Sequence, residues 1–330
     1  MDKVKLIAGR SNRSLAENIA EHLGKKLVDC TIDRFANSEI NIAINENVRG
    51  CQIFIIQSGG NDLANCNSIN DFLVETLMII DACKRADAKS VAVIMAYYPY
   101  SRADKKDRRG VSIGSAVVAN ILEKAGADRI ISMDLHAGQT QGVTSLPFDN
   151  LYGIKLHINN LQNTLFKGLS LEEINDKYVL VALDVGTAKR IKEYAKRLNM
   201  KYAIMDKQRD YSKKNNVLQS VLIGDVTGKV CICVDDIIDT AGTVISGVAD
   251  LLNHGAISSI ILATHGILSD PASTRINNCS FIEKVIVINT LNQTQNRLKI
   301  SKLQIIDSSS LFAEVVKRIV TGGSISELFL

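Results

Sequence analysis

The sequence predicts an α/β fold with two similar domains, each built on a mostly parallel sheet flanked by helices. Three observations support this prediction. The length of 330 residues suits two domains of about 150 residues each. An amphipathic helix, a short turn containing glycine or alanine, and a strand of branched residues recur along the chain. Each of these strands is almost continuously apolar, as expected for a parallel strand that is covered on both faces.

The recurring pattern indicates individual helices and strands. It occurs three times, as residues 72–85 before 90–95, residues 115–124 before 129–133, and residues 244–253 before 259–264. Further strands are predicted at residues 3–8, 52–57, 178–183, 201–205, 230–234 and 284–288. Strands that alternate with helices favour parallel sheets joined by right-handed crossovers.

A polar stretch without strand patterns, residues 159–176, separates the two halves of the chain. We therefore predict a junction near Leu151, with an N-terminal domain of residues 1–151 and a C-terminal domain of residues 152–309. The last segment, residues 310–330, is expected to join the N-terminal domain. In open α/β sheets, ligands bind at the carboxyl ends of the strands, which we expect to face a cleft.

Composition excludes several classes of protein. The net charge is +4, and the basic residues are scattered along the chain, which argues against a nucleic-acid partner. No apolar run is long enough to cross a bilayer, so no membrane partner is expected. The seven cysteines are odd in number and lack CxxC pairs, which favours free thiols in the cytoplasm. Cys231 and Cys233 would share one face of a strand, where buried core residues are favoured over a zinc pair.

The segment from Val230 to Val248 carries the strongest chemical signal. An apolar strand runs into the acid pair Asp235 and Asp236, and an amphipathic helix follows a short loop. The residues of that loop are Asp239, Thr240, Ala241, Gly242 and Thr243.

The arrangement of this loop is typical of a sugar-phosphate site. Small residues at a helix start let backbone N–H groups converge on a phosphate, and the helix dipole and threonine hydroxyls assist. Carboxylates at the strand end can accept hydrogen bonds from a ribose diol. The alternative is an ordinary strand–turn–helix unit with an aspartate cap. The chain lacks a P-loop lysine pattern and a GxGxxG motif here, which disfavours ordinary nucleotide hydrolases and dehydrogenases.

The loop resembles the phosphoribosyl pyrophosphate loop of type I phosphoribosyltransferases and of ribose-phosphate pyrophosphokinases. That resemblance implies a type I phosphoribosyltransferase-like fold, ribose hydroxyls bound by Asp235 and Asp236, and the 5-phosphate bound by residues 239–243. The family commonly has a glycine at the position of Ala241. We expect alanine to fit there with a negative φ.

Further segments are similar to the pyrophosphokinase family specifically. One is residues 34–39 with 46–50, where the resemblance implies that Phe35, Asn37, Ser38 and Glu39 serve a neighbouring subunit's ATP site. Phe35 would lie against adenine, with hydrogen bonds from Asn37 and Glu39. Another is residues 98–107, where the resemblance places Arg102, Ala103 and Asp104 at the ATP phosphates. The family usually has glutamine where Ala103 stands.

The remaining family motifs suggest metal and catalytic residues. Residues 133–142 resemble a motif in which His136 serves the ATP and magnesium sites, and Asp184 aligns with an acid that lies near both the metal and the ribose. Leu183 and Thr187 depart from the pattern around Asp184. Lys207 and Arg209 correspond to the pair that stabilises the transition state, with Arg209 also near ribose 5-phosphate, and residues 210–216 are polar enough for a lid.

The resemblance spans almost the whole chain and implies a ribose-phosphate pyrophosphokinase that uses ATP, ribose 5-phosphate and Mg²⁺. It also implies a homo-oligomer built from dimers, such as a hexamer. Two alternatives remain open at this point: a phosphoribosyltransferase, which shares the loop, and a regulatory paralogue with weak catalysis, which the departures from the family pattern favour.

Overall fold

The structure is a computed structural model that describes residues 3–60, 67–209 and 217–329, with only the backbone described at 207–209 and 217–220. The chain divides into two compact units. The first comprises Met1–Tyr152, Asn289–Asn292 and Asp307–Leu330, and the second comprises Gly153–Ile288 and Gln293–Ile306. In the part of the chain that the structure describes, no helix is both long and apolar enough to span a membrane.

The first unit is built on a five-stranded parallel sheet and a separate antiparallel hairpin. Its strands are β1 (Val4–Ala8), β2 (Cys30–Arg34), β3 (Ile40–Ile44), β4 (Gln52–Ile56), β5 (Ser90–Met95), β6 (Arg129–Met133) and β7 (Phe148–Leu151). The parallel sheet has the order β1-β4-β5-β6-β7, while β2 and β3 form the hairpin. The five parallel strands are mostly buried, which explains their continuous apolar sequence.

The helices of the first unit come from both ends of the chain. They are α1 (Arg13–His22), α2 (Ile69–Arg85), α3 (Gly114–Ala125) and, in the final segment, α10 (Ser309–Thr321). Helix α2 begins with a capping box, in which Ser68 and Asp71 bond each other's backbone N–H groups. Helix α1 packs against α10, whose buried face includes Phe312 and Val316.

The second unit contains a seven-stranded sheet. Its strands are β8 (Tyr178–Ala182), β9 (Tyr202–Arg209), β10 (Val217–Ile223), β11 (Val230–Ile238), β12 (Ser258–Gly266), β13 (Ile282–Ile288) and β14 (Leu303–Ile306). The order is β10-β9-β8-β11-β12-β13-β14, and the pairs are parallel except for β9 with β10. Strand β11 therefore lies in the middle of the sheet, between β8 and β12.

Helices cover the second sheet and bury an apolar cluster on each face. They are α4 (Ile154–Asn163), α5 (Leu171–Lys177), α6 (Ala188–Leu198), α7 (Gly242–Asn253), α8 (Ala272–Asn278) and α9 (Thr294–Lys299). Cys231 and Cys233 belong to one cluster, while Ile232 and Val234 belong to the other. Burial raises the pKa of the Cys231 thiol to about 12 and that of Cys233 well above its ordinary value. The prediction that these two cysteines are core residues is thus confirmed.

The predicted α/β class is confirmed, as are the nine predicted strands and three predicted helices, with differences at their ends. The structure adds strands that the sequence patterns did not indicate: β2, β3, β7, β10 and β14. Residues of β2 and β14 are half-buried or exposed, so these strands lack the apolar run by which the others were found. Strand β11 also runs to Ile238 rather than ending at Val234, and therefore includes the acid pair.

Candidate active site

The loop between β11 and α7 lies at the carboxyl end of the central strand of the second unit. The strand ends at Ile238 and the helix begins at Gly242. Asp236 is buried and Asp235 is half-buried, whereas Thr240 and Thr243 are exposed. The two threonine side chains of the loop are thus exposed to solvent, and the two neighbouring carboxyl groups are partly or fully buried.

Ala241 adopts a left-handed backbone conformation, with φ 58° and ψ 8°. The expectation of a negative φ at this residue was wrong. The turn from strand to helix requires a left-handed residue here, which explains why glycine is usual at this position. The methyl group of Ala241 is nonetheless buried, in the apolar cluster that includes Val244 and Val248 of α7.

The N-cap residue of α7 is Ala241, whose side chain makes no capping hydrogen bond. The N–H groups in the first turn of a helix have no partners within the helix, and side chains, water or ligands normally satisfy them. The helix dipole adds a partial positive charge at the same place. With the exposed Thr240 and Thr243 beside it, this helix start is suited to binding a phosphate.

Three carboxyl groups cluster next to the loop. Removal from water raises the pKa of Asp235 well above its ordinary value, and the neighbouring Asp236 and Asp184 raise it further. The backbone N–H of Asp236 donates a hydrogen bond to Asp235 Oδ1 at 2.8 Å. Since Asp184 follows β8, the neighbour of β11, the strand order accounts for this proximity. The structure therefore brings together Asp184, Asp235 and Asp236, three of the acids that the sequence singled out in this half of the chain.

Asp184 also caps the short turn that precedes α6. Its Oδ1 accepts a hydrogen bond from the N–H of Thr187 at 3.0 Å, and the Thr187 hydroxyl donates to the Asp184 carbonyl at 3.0 Å. Thr187 has φ −88° and ψ 1°, which any residue can adopt. The threonine found where the family has glycine therefore has an allowed negative φ, and its backbone N–H, which glycine would also supply, orients the carboxylate of Asp184.

Arg275 is a residue near the loop that the sequence analysis missed. Its Nη1 donates a hydrogen bond to the carbonyl oxygen of Thr240 at 2.8 Å. None of the motifs described in the sequence contains Arg275. A contact between residues so far apart in the chain has no local sequence pattern.

Lys207 and Arg209 lie at the end of β9, and their side chains are outside the described part of the structure. The predicted lid, residues 210–216, lies outside the described residues altogether. The catalytic roles of Lys207 and Arg209 stay a prediction from the family resemblance.

In the first unit, the tip of the β2–β3 hairpin carries Phe35, Asn37, Ser38 and Glu39, all of them exposed. The Phe35 side chain is 55% exposed, so this aromatic residue is not a core residue of the described chain. The N–H of Phe35 donates to the carbonyl oxygen of Glu39 at 2.9 Å, and that of Ser38 donates to the carbonyl oxygen of Phe35 at 2.8 Å. An exposed aromatic ring on such an ordered turn is suited to stacking on another molecule.

Arg34 anchors this hairpin to the start of α2. Its Nη1 donates to the carbonyl oxygen of Ser38, and its Nη2 contacts Asn67 Oδ1 and Asp71 Oδ1, each at 2.8 Å. The side-chain hydroxyl of Ser68, the guanidinium of Arg34 and the backbone N–H of Ser68 all hold the pKa of Asp71 well below its ordinary range. Arg34 thereby fixes a turn in which Ser38 has the positive φ of 71°.

The other predicted ATP residues follow β5 and β6, which are adjacent strands. Arg102 and His136 are exposed, and Ala103 and Asp104 are half-buried. Gln139 Nε2 lies 3.5 Å from Asp104 Oδ2 and so joins the two segments. The structure thus brings the segment of Arg102 close to the segment of His136 within the first unit.

The predicted site residues therefore form two sets, one in each unit. The hairpin, the segment after β5 and His136 belong to the first unit, and the acids, Lys207, Arg209 and the loop belong to the second. The two predicted metal ligands, His136 and Asp184, are divided between the units. Within the described residues, no group of three or more histidine, cysteine, aspartate or glutamate side chains is arranged to hold a metal ion.

Two family models match the sequence, one in each half. The model for the N-terminal domain of ribose phosphate pyrophosphokinase matches residues 4–126. The model for the phosphoribosyl synthetase-associated domain matches residues 206–330. The two matched regions contain the hairpin, the segment after β5, the acid pair and the loop between β11 and α7.

The chain is also similar to solved structures. It shares 36% identity with phosphoribosylpyrophosphate synthetase from Mycobacterium smegmatis, with a TM-score of 0.86, over 97% of this chain and 100% of that one. It matches a purine phosphoribosyltransferase from Pyrococcus horikoshii at 15% identity and a TM-score of 0.24, over 34% of this chain and 76% of the other. The adenine phosphoribosyl transferase of Trypanosoma brucei matches at 14% identity and a TM-score of 0.29, over 48% and 65% of the two chains. The identities and TM-scores of these two phosphoribosyltransferase matches are too low to support an inference about this chain.

Proposed function

Because this chain belongs to the ribose-phosphate pyrophosphokinase family, we propose that it transfers the pyrophosphoryl group of ATP to the 1-hydroxyl of ribose 5-phosphate. The products are phosphoribosyl pyrophosphate and AMP. The observation that supports the assignment of the sugar-phosphate site is the start of α7, with its exposed threonines, beside the acid pair. Ribose 5-phosphate carries a phosphate, which suits the helix start, and a diol, which suits the neighbouring carboxyl groups.

The loop of residues 239–243 binds the 5-phosphate in this proposal. Exposed hydroxyls at Thr240 and Thr243 add hydrogen bonds to those of the backbone. Asp235 and Asp236 accept hydrogen bonds from the ribose hydroxyls, with Asp184 nearby. The sugar is then held at both ends, which orients its 1-hydroxyl for attack. Such positioning is a large part of catalysis in phosphoryl transfer.

The residues assigned to ATP lie in the first unit. Phe35 stacks on adenine, with Asn37, Ser38 and Glu39 supplying polar contacts. The positive charge of Arg102 suits the triphosphate, and Ala103 and Asp104 lie next to it along the chain. By family resemblance the hairpin serves the ATP site of a neighbouring subunit, which makes the protein a homo-oligomer built from dimers, up to a hexamer. The exposure of Phe35 supports a role in contact with another molecule.

Mg²⁺ prefers oxygen donors and usually binds one or two carboxylates together with substrate phosphates. Asp184 would supply one such carboxylate, and a cation near it would offset the repulsion that Asp236 and Asp184 add to the effect of burial on the pKa of Asp235. His136 and Asp184 are the residues that we assign to magnesium. The bound ion neutralises charge on the phosphates of ATP.

Attack by the 1-hydroxyl on the β-phosphorus spreads negative charge over the transferring oxygens. Lys207 and Arg209 close over the β-phosphate in this proposal and stabilise that charge.

The proposal also includes two domains and a cytoplasmic location. One domain comprises residues 1–151 with 310–330, and the other comprises residues 152–309. The ATP residues and the ribose 5-phosphate residues then belong to different domains.

The decisive experiment supplies the purified protein with Mg-ATP and ribose 5-phosphate, with and without inorganic phosphate, and quantifies AMP and phosphoribosyl pyrophosphate. We expect equal amounts of both products, and none when ribose 5-phosphate is omitted. A protein that binds its substrates but forms neither product is instead a regulatory paralogue. Release of pyrophosphate from phosphoribosyl pyrophosphate and a nucleobase, without a requirement for ATP, would identify a phosphoribosyltransferase.

A further inference from the structure

Arg275 lies against the loop that carries the proposed sugar-phosphate site. Its Nη1 donates a hydrogen bond to the carbonyl oxygen of Thr240 at 2.8 Å. A Cβ built on Gly242 would lie 3.3 Å from the same nitrogen. The guanidinium of Arg275 therefore lies next to Thr240 and Gly242, the residues on either side of Ala241. Because residue 242 is glycine, no side chain there competes for the space of the guanidinium.

The main chain of Arg275 is held in place by the core. Ala272 and Ile276, on the same short helix α8, are buried in the apolar cluster that also contains Ala241 and Val244. Arg275 itself is exposed. Helix α8 thus packs on the start of α7 and directs one arginine from the surface onto the loop.

The hydrogen bond determines which way one peptide group of the loop faces. In a trans peptide the C=O and the following N–H point in opposite directions, so fixing the Thr240 carbonyl also fixes the Ala241 N–H. Ala241 has the unfavourable φ of 58°. A rotation of this peptide group would change that conformation and turn a carbonyl oxygen toward a bound phosphate. The bond from Arg275 opposes such a rotation.

We propose that Arg275 is a positioning residue for the 5-phosphate of the sugar substrate. It holds the Thr240 carbonyl away from the phosphate and so keeps the Ala241 N–H available as a donor. Its positive charge adds to the favourable potential at the start of α7. This inference rests on the proposed function, since it takes the loop of residues 239–243 as the site of ribose 5-phosphate.

The test compares Arg275→Met with Arg275→Lys in the full-length protein. Calorimetry measures the Kd for ribose 5-phosphate in the presence of Mg²⁺, and initial rates supply kcat and both KM values. We expect Arg275→Met to weaken binding of ribose 5-phosphate about tenfold, as for loss of a hydrogen bond from a charged donor. The KM for ATP and kcat should change by less than about twofold. Lysine keeps a charged donor of similar reach and should restore most of the affinity.

Arg297→Met is the matched control, because Arg297 is an exposed arginine on another short helix of the same unit. It should leave all the measured constants unchanged. A Kd for Arg275→Met close to that of the unsubstituted protein would overturn the inference. An equal loss of affinity for ribose 5-phosphate and ATP, together with a lower Tm, would also overturn the inference, because that result indicates a structural role only.

The binding measurement separates this inference from the proposed function. A protein that binds ribose 5-phosphate but makes no phosphoribosyl pyrophosphate fails the proposed function, while the Kd values of the variants still decide the role of Arg275. A protein that binds no ribose 5-phosphate overturns the inference together with the assignment of the loop.

Discussion

Ala241 shows how a residue with a side chain can occupy a left-handed position, here with φ 58°. For residues other than glycine this conformation costs about 1–2 kcal/mol. Burial of the methyl group contributes about 0.8 kcal/mol in return. Glycine would also lose about 0.5–1 kcal/mol more in chain entropy on folding. These terms nearly cancel, so alanine is tolerated here even though the turn favours glycine.

A residue-scale prediction concerns Lys207, whose role follows from the family resemblance. Replacing it with alanine removes a cation that stabilises charge on the transferring phosphoryl group. We expect kcat to fall by two to three orders of magnitude, corresponding to about 3–4 kcal/mol of barrier by analogy with oxyanion donors. Binding of ATP and the Tm should stay close to those of the unsubstituted protein.

The matched control for this variant is Lys192→Ala, at an exposed lysine of α6. Initial-rate kinetics, nucleotide titration and thermal unfolding provide the three readouts. A near-normal kcat in Lys207→Ala would refute the catalytic role of this lysine.

Asp235 leads to a prediction about pH. Its native pKa is raised, above all by removal from water and then by Asp236, whereas an unfolded aspartate titrates near pKa ~3.9. The native state therefore retains a proton that the unfolded state releases, so this group lowers stability as pH rises from about 4 toward its native pKa. Asp235→Asn removes the penalty. We expect its free energy of unfolding, measured in urea with EDTA, to exceed that of the unsubstituted protein increasingly as pH rises.

Asp225→Asn is a control with the opposite sign. The N–H of Thr227 donates to the Asp225 carboxylate at 3.0 Å and lowers the pKa of that group. Its contribution to stability is present above the unfolded pKa and is lost as pH falls through the native value. The Asp225→Asn variant should therefore be less stable than the unsubstituted protein near neutral pH and equally stable at low pH. Identical pH profiles for the Asp235→Asn and Asp225→Asn variants would contradict the assignment for Asp235.

At the scale of elements, Arg34 anchors the tip of the β2–β3 hairpin, whose strands also pair with each other and pack on the core. Arg34 joins the turn at Ser38 to Asn67 and Asp71, and its side chain is 27% exposed. Arg34→Met should lower the protection of the hairpin amides against hydrogen exchange by about 1.5–3 kcal/mol, the range for hydrogen bonds to charged groups. If the hairpin carries the adenine site, the KM for ATP should rise while the KM for ribose 5-phosphate stays constant.

Arg13→Met is the control for the hairpin, because Arg13 forms an exposed ion pair with Glu17 on α1. Exposed pairs of this kind contribute less than about 1 kcal/mol. Hydrogen exchange with mass spectrometry resolves the peptides of β2 and β3. Unchanged exchange of these peptides in Arg34→Met would show that the hairpin is stable without the anchor.

At the scale of the whole molecule, the first unit is assembled from both ends of the chain. Helix α10, from the final segment, packs against α1, from the first. Phe312 on α10 is completely buried. Phe312→Ala should lower the free energy of unfolding of this unit by about 3–5 kcal/mol, the usual cost of such a cavity. Denaturant titration measures this loss, and hydrogen exchange should show it in α1.

Leu298→Ala is the control for Phe312→Ala, since Leu298 is 80% exposed and its truncation creates no cavity. Its stability should stay within about 0.5 kcal/mol of the unsubstituted protein. If Phe312→Ala were equally mild, α10 would not be an integral part of the first unit.

Much of the molecule follows from local patterns in the sequence. Continuous apolar runs and helical spacing determined the α/β class and nine of the strands, because a parallel strand covered on both faces is apolar along its length. The acid pair and the loop with Gly242 were recognised for the same reason: the chemistry lies within a few consecutive residues. The order of the family motifs identified the family.

Tertiary structure decided the features that depend on residues distant in the chain. The strand and the helix on either side of Ala241 impose its left-handed φ. Strands β2 and β14 lack an apolar run and are defined by their pairing with β3 and β13. The pKa of Asp235 is raised first by its burial in the folded chain, and then by Asp236 and by Asp184, which follows the adjacent strand. Arg275 reaches the loop across 35 residues of chain. Such effects arise when folding brings separate segments into contact and removes their polar groups from water, which no local pattern of residues encodes.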